Sequence, residues 1–191
     1  MKIGLFFGSY NPIHIGHMAI AEYIAENSDI DELWFVVSPQ NPLKSKHKLL
    51  ADHHRLEMVY LAIDDDPRFR VCDIEFQMPK PSYTVDTLAW LSEKHPDHEF
   101  IMILGADNLA SFSKWKNCEV LAEKYRRIVY PRTGISMDEI SRHRNVELVN
   151  APRIEISSSF IRDSIKNGKK VRFFLPPKVF SYIDEMNFYR T

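Results

Sequence analysis

The chain has 191 residues, 45% of them hydrophobic and 27% charged, which is enough for one well-buried core. Its formal net charge of −1 supplies no field to gather DNA or RNA, so any phosphate-bearing partner is expected to be small. Cys72 and Cys118, too few for a disulfide framework and without CxxC spacing, suit a reducing cytoplasm, and the apolar run Ile3 to Phe7 is too short for a signal-peptide core or a membrane span.

In chain order, the first element is the strand KIGLFF, followed by GSYNPIHIGH at residues 8 to 17 and a helical MAIAEYIAE. Asn11 is a candidate helix cap and Pro12 fits a first helical position, so the helix is expected to begin at Pro12. Gly8 and Gly16 allow backbone or ligand to approach closely. A helix entered from a strand presents unpaired N–H groups and a positive dipole end, which is a site for a phosphate. His14 and His17, three apart, share the face of that first turn, where as donors they can hold phosphate oxygens and developing negative charge. Either histidine alone reads as a cap or packing residue. A metal pair is disfavoured because H-x-x-H here lacks the HExxH carboxylate and has no Cys or acidic cluster nearby; His53-His54 fares no better. No residue is assigned to a metal. Neither GxxxxGK[ST] nor GxGxxG is present.

Further strands are expected at 33–38 (LWFVVS), 69–74 (FRVCDI), 99–105 (EFIMILG), 126–131 (RRIVYP) and 146–150 (VELVN). Such near-continuous apolar runs suit strands buried on both faces. Between them, Leu56, Val59, Tyr60 and Ile63, and later Val85, Leu88 and Ala89, carry helical spacing. The alternation predicts an α/β fold with a mostly parallel sheet wrapped by helices. The stretch SPQNPLKSKHKLL, residues 38 to 50, reads as a basic loop at the carboxyl end of a strand, where open α/β sheets bind ligands. Near the end of the chain, ISSSFIR (156–162) offers Ser157 or Ser158 as a cap, a helix that Gly168 ends, and Arg162 one turn beyond Ser158.

G-S-Y-N-P-I-H-I-G-H resembles the G-x-F-x-P-x-H-x-G-H signature of the HxGH nucleotidylyltransferases, and ISSSFIR resembles their C-terminal I-S-S-T-x-I-R. Three further stretches, SYTVDTL (82–88), GADNLASFSKW (105–115) and the closing VRFFLPPKVFSYIDEMNFY, are similar to the bacterial nicotinate-nucleotide adenylyltransferases within that superfamily. The resemblance covers nearly the whole chain. It implies a Rossmann-like, doubly wound, mostly parallel sheet in one nucleotidylyltransferase domain spanning 1–191, whose part from about 151 to 191 carries ISSSFIR and the closing helices.

The implied reaction joins ATP, with Mg²⁺, and nicotinate mononucleotide to give deamido-NAD and pyrophosphate, by in-line attack without a covalent enzyme intermediate. That fits a motif set without a nucleophile, because such transfer needs positioning and charge stabilisation. By match to the motifs, His14, His17 and Arg162 are the catalytic candidates. Gly8, Ser9, Tyr10, His14, Gly16, His17, Lys44, Ser158, Ser159 and Arg162 would bind ATP. Thr84, Gly105, Asp107 and Trp115 would bind the acceptor: Trp115 stacks the pyridine, the Thr84 hydroxyl with backbone N–H groups takes its carboxylate, and Asp107 accepts from a ribose. Tyr10 and Asn11 stand where many members have Phe and Asp. The loop reads Asn41-Pro42-Leu43-Lys44 where many have P-P-H-K, so His47 and Lys48 join Lys44 as candidates.

The expected partners are these two small substrates, with no nucleic acid or membrane, in the cytoplasm; a homo-oligomer is compatible with the sequence but not readable from it. The alternatives are an HxGH enzyme acting on nicotinamide mononucleotide or phosphopantetheine, a catalytically silent nucleotide sensor, and, most distant, a zinc hydrolase.

Overall fold

The computed structural model describes residues 1–39, 49–136, 140 and 143–190. Among the described residues six strands form one sheet: β1 (Lys2–Gly8), β2 (Glu32–Val37), β3 (Phe69–Cys72), β4 (Glu99–Gly105), β5 (Arg127–Tyr130) and β6 (Val146–Leu148). Their order is β3-β2-β1-β4-β5-β6, and every pairing is parallel. All six predicted runs are strands, and the sheet is more regular than the mostly parallel one expected.

The apolar runs are continuous because both faces are covered. Leu33, Phe35, Val37, Ile101 and Ile103 face one hydrophobic layer. Alternate residues Trp34, Val36, Phe100, Met102 and Leu104 face the other. A strand with period two buried on both sides has no polar face to write into its sequence.

Helices α1 (Ile15–Asn27), α2 (Asp52–Ile63), α3 (Thr84–Lys94), α4 (Ala106–Ala110) and α5 (Cys118–Lys124) lie between strands. Two more, α6 (Ser158–Lys166) and α7 (Pro177–Glu185), follow β6. From β1 the chain winds outward through β2 and β3, then returns to the other side of β1 for β4 and winds outward again. The reversal falls between β1 and β4. A crevice therefore opens at their carboxyl ends, where Gly8 and Gly105 stand.

One element starts elsewhere than expected. Helix α1 begins at Ile15, not Pro12, and its N-cap is His14, held extended at φ −148° and ψ 170°. Asn11 is no cap, because its side-chain oxygen is used across the fold, accepting from the Tyr189 hydroxyl at 2.8 Å and the Leu50 N–H at 3.3 Å. Tyr10 takes φ +45°, which turns the chain back before the helix can start. The turn serves packing: the Tyr10 ring folds over β1 and its hydroxyl donates to the Phe6 carbonyl at 2.5 Å. A Cβ at Gly8 would lie 2.7 Å from that ring, so only glycine fits beneath it.

Candidate active site

The later start of α1 moves its positive end onto the two histidines. The His14 carbonyl accepts from the His17 N–H at 2.9 Å, while the His14 N–H is accepted by His17 Nδ1 at 3.2 Å. This is the side-chain half of a capping box, with imidazole where glutamate usually stands. The rings lie 3.8 Å apart between centroids and tilt by 31°. Phe6 and Tyr10 form the floor beneath His17, at 6.2 and 5.2 Å between ring centroids. At Gly16 a Cβ would sit 3.0 Å from His14 Nδ1, so glycine keeps the first-turn backbone open beside the imidazole.

His14 is buried, and burial lowers its pKa from 6.5 to about 4, with repulsion from Arg132 acting in the same direction. It is therefore neutral at pH 7. Its Nδ1 is buried and has no hydrogen-bond partner among the described residues, and the same is true of Asn11 Nδ2. Buried polar atoms in folded proteins nearly always find partners, so orphans gathered beside one helix start point to a polar ligand.

The C-terminal motif closes on this turn. Ser157, not Ser158, caps α6, accepting from the Phe160 N–H at 3.1 Å, and Gly168 follows the helix at φ +67°. That frees Ser158, whose hydroxyl donates to the Pro12 carbonyl at 2.9 Å. Arg162 donates to the Asn11 carbonyl at 2.8 Å and to the Ser159 hydroxyl at 3.1 Å. The two motifs, far apart in sequence, are thus in direct contact.

On the other side of Gly8 lies a cavity of about 290 Å³, whose lining includes Gly8, Ser38, Glu75, Thr84, Lys114 and Trp115. Thr84 is the first residue of α3, which follows the extended N-cap Tyr83. The Trp115 ring packs on Phe112 at 5.3 Å, and its indole nitrogen is buried without a hydrogen-bond partner among the described residues. Lys116 pairs with Asp86 at 2.8 Å and lies 4.6 Å from the Tyr83 ring centre, tying the tryptophan wall to the start of α3.

Gly105 and Asp107 stand beside this cavity, not in its lining. A Cβ at Gly105 would come within 2.4 Å of Asp107 Oδ1 and 3.2 Å of Arg132 Nε, so glycine lets the acid and the guanidinium meet over the strand end, 3.6 Å apart. The structure therefore joins Gly8, Tyr10, His14, Gly16, His17, Ser158, Ser159 and Arg162 on one rim, and Thr84 with Trp115 in the neighbouring cavity. Lys44, His47 and Lys48 lie outside the described residues.

Three polar residues escaped the sequence reading. Arg55, fully buried in α2, donates to the carbonyls of Ser9 at 2.6 Å, Ser38 at 2.7 Å and Leu50 at 3.1 Å and pairs with Asp52 at 2.6 Å, fastening Ser9 to the next strand end. Nothing in ADHHRLEM distinguishes it from a surface arginine. Arg132 lies two residues past the end of β5, and the rule that ligands sit at strand carboxyl ends could have found it. Glu75, between Ile74 and Phe76, is buried at the cavity wall.

Comparison with known proteins places this geometry among relatives. The cytidylyltransferase-like family model matches residues 5–164. A protein of Flavobacterium johnsoniae named "Probable nicotinate-nucleotide adenylyltransferase" is 53% identical over 192 residues, covering 100% of both chains. One of the same name from Cytophaga hutchinsonii is 49% identical over 189 residues, covering 99% of this chain and 98% of its own. The nicotinic acid mononucleotide adenylyltransferase of Plasmodium falciparum complexed with NaAD superposes with a TM-score of 0.82 at 24% identity, covering 98% of this chain and 97% of that one, a likeness of fold.

Proposed function

The chain belongs to the cytidylyltransferase-like family and, within it, to the nicotinate-nucleotide adenylyltransferases, and from that premise we infer how its residues divide the reaction. It is a nucleotidyltransferase of NAD biosynthesis that joins ATP and nicotinate mononucleotide, giving deamido-NAD and pyrophosphate. The phosphate of the mononucleotide attacks the α-phosphorus of ATP in line, one P–O bond forming as the bond to pyrophosphate breaks.

The observation that carries the division of labour is the meeting of the two motifs, Arg162 on the Asn11 carbonyl, at the start of α1. ATP phosphates fit there. The first-turn N–H groups of α1 and the imidazoles of His14 and His17 approach from one side, and Arg162, Ser158 and Ser159 from the other. Gly8, Ser9, Tyr10 and Gly16 shape the approach, and Lys44 is assigned to the same nucleotide by its motif. His14 enters neutral and donates one N–H, so the phosphates do not meet a preformed imidazolium. His17 is assigned to the charge that builds in the transition state, with Arg162 opposite.

The acceptor occupies the cavity. Its pyridine stacks on Trp115, its carboxylate meets the hydroxyl of Thr84 and the N–H groups opening α3, and Asp107 beside Gly105 accepts from a ribose hydroxyl.

Mg²⁺ fits this site as an ion carried by ATP. The rim is built of imidazole, guanidinium, hydroxyl and N–H groups suited to phosphate oxygens, and no group of three His, Cys, Asp or Glu among the described residues forms a cage for it. The ion supplies charge neutralisation on the triphosphate.

The chain acts as one nucleotidylyltransferase domain, its part from about 151 to 191 bringing Arg162 to the rim. The location assigned is the cytoplasm, in keeping with the free thiols of Cys72 and Cys118; no helix among the described residues is long and apolar enough to cross a membrane. The test is pyrophosphate release with Mg²⁺-ATP and, in parallel, nicotinate mononucleotide, nicotinamide mononucleotide and phosphopantetheine, with His17→Ala as control. Preference for the first acceptor, lost in the variant, supports the reading. Turnover with another acceptor overturns the pocket assignment, and ATP binding with no turnover replaces the enzyme by a sensor.

A further inference from the structure

Glu75 sits in the short turn Ile74–Gln77 after β3 and is 2% exposed. Leaving a carboxylate there costs free energy unless its oxygens are hydrogen-bonded, and both are. Oε2 accepts from the Ser82 hydroxyl at 2.7 Å and Oε1 from the Thr87 hydroxyl at 2.8 Å. The Thr87 oxygen also lies 3.2 Å from the Tyr83 carbonyl, but it has one proton, and the nearer, acidic acceptor takes it.

These two hydroxyls bracket Thr84, the first residue of α3, which lines the same cavity as Glu75. Of the three aliphatic hydroxyls on this segment, two are committed to Glu75. That of Thr84 has no partner among the described residues. The carboxylate thus decides which hydroxyl keeps a proton to offer, and it pins the chain on both sides of that residue. Adenylyl transfer itself calls for no acid at this place, and an acceptor that brings its own carboxylate calls for it still less.

We propose that Glu75 is a positioning residue for the acceptor: by drawing Ser82 and Thr87 onto one carboxylate it fixes the start of α3, so that the Thr84 hydroxyl and the first-turn N–H groups face the acid group of the pyridine nucleotide. The proposal rests on the assignment of the cavity to nicotinate mononucleotide.

The experiment measures pyrophosphate release by the full chain while each substrate is varied in turn. Glu75→Gln keeps the shape but puts a donor where two hydroxyls donate, so one bond is lost. KM for nicotinate mononucleotide should rise about tenfold, with KM for ATP and kcat within about twofold of wild type. Thr87→Val should shift the same constant in the same direction, and Thr87→Ser, which keeps the hydroxyl, should restore it. Because they share one bond, Glu75→Gln with Thr87→Val should cost less than the two single effects combined. A KM for the acceptor that does not move in either variant overturns the proposal. So does a fall in Tm and in active fraction that leaves both KM values unchanged, the outcome of a purely structural role. Wild-type protein inactive with nicotinate mononucleotide instead overturns the substrate reading beneath it.

Discussion

The guanidinium of Arg162 donates to the backbone carbonyl of Asn11 at 2.8 Å, across 151 positions of sequence. With Ser158 on the Pro12 carbonyl beside it, the bond makes α6 a clamp on the turn that carries both histidines. Arg162 therefore holds that turn, and in the proposed division of the reaction it also faces the triphosphate.

Arg162→Ala should lower kcat for pyrophosphate release by about 100- to 1,000-fold, the usual loss for a donor to transition-state charge. Arg162→Lys should recover little, because an ammonium cannot bond the Asn11 carbonyl and the Ser159 hydroxyl with the geometry of the planar fork. Steady-state kinetics with ATP and nicotinate mononucleotide checks both, and a lysine variant near wild type would show that charge alone matters.

His14 makes stability depend on pH. Its pKa falls from 6.5 in the unfolded chain to about 4 when folded, so the unfolded state takes up the proton first as pH drops. The contribution is fully present above pH 6.5, declines from there to about pH 4, and is gone below. At 1.36 kcal/mol per pH unit the loss reaches about 3 kcal/mol. Urea melts of wild type and His14→Gln from pH 7.5 to 4 should show the wild type losing more stability over that window, and parallel curves would refute the buried, neutral assignment.

Trp115→Ala should raise KM for nicotinate mononucleotide about tenfold, as expected when an aromatic stacking partner is removed, and leave KM for ATP unchanged. Trp115→Phe should fall between the two, since it keeps a ring to stack and to pack on Phe112. Equal effects on both substrates would place the tryptophan in the general architecture and not in the acceptor cavity.

Arg55→Met should destabilise the fold by about 3 kcal/mol or more, because it strips the carbonyls of Ser9, Ser38 and Leu50 and the carboxylate of Asp52 of a buried donor. Chemical denaturation measures it. A change below about 1 kcal/mol would mean that water replaces the guanidinium.

By itself the sequence determined the elements and the chemistry that their ends can hold. Six apolar runs specified six strands, and their lack of alternation specified a sheet covered on both faces, because burial on two sides leaves no polar register to read. The two motifs named the groups now gathered on the rim, because residue type and spacing along a turn or a helix are local properties, while the family resemblance of SYT and of GADN with Trp115 pointed to the neighbouring cavity, which Thr84 and Trp115 line and Gly105 and Asp107 do not. What only the tertiary structure decided are relations between distant segments. Pro12 marked a plausible helix start, but the fold of Tyr10 onto β1 and the use of Asn11 by Tyr189 moved that start to Ile15. Ser157 and Ser158 are locally equivalent as caps, and the nearness of the Pro12 carbonyl separated them. Arg55 and Glu75 read as ordinary charged residues in one dimension. Their roles come from burial and from hydrogen bonds or charge that the folded chain brings to them, and the cost of an unpaired polar group exists only once water has been removed.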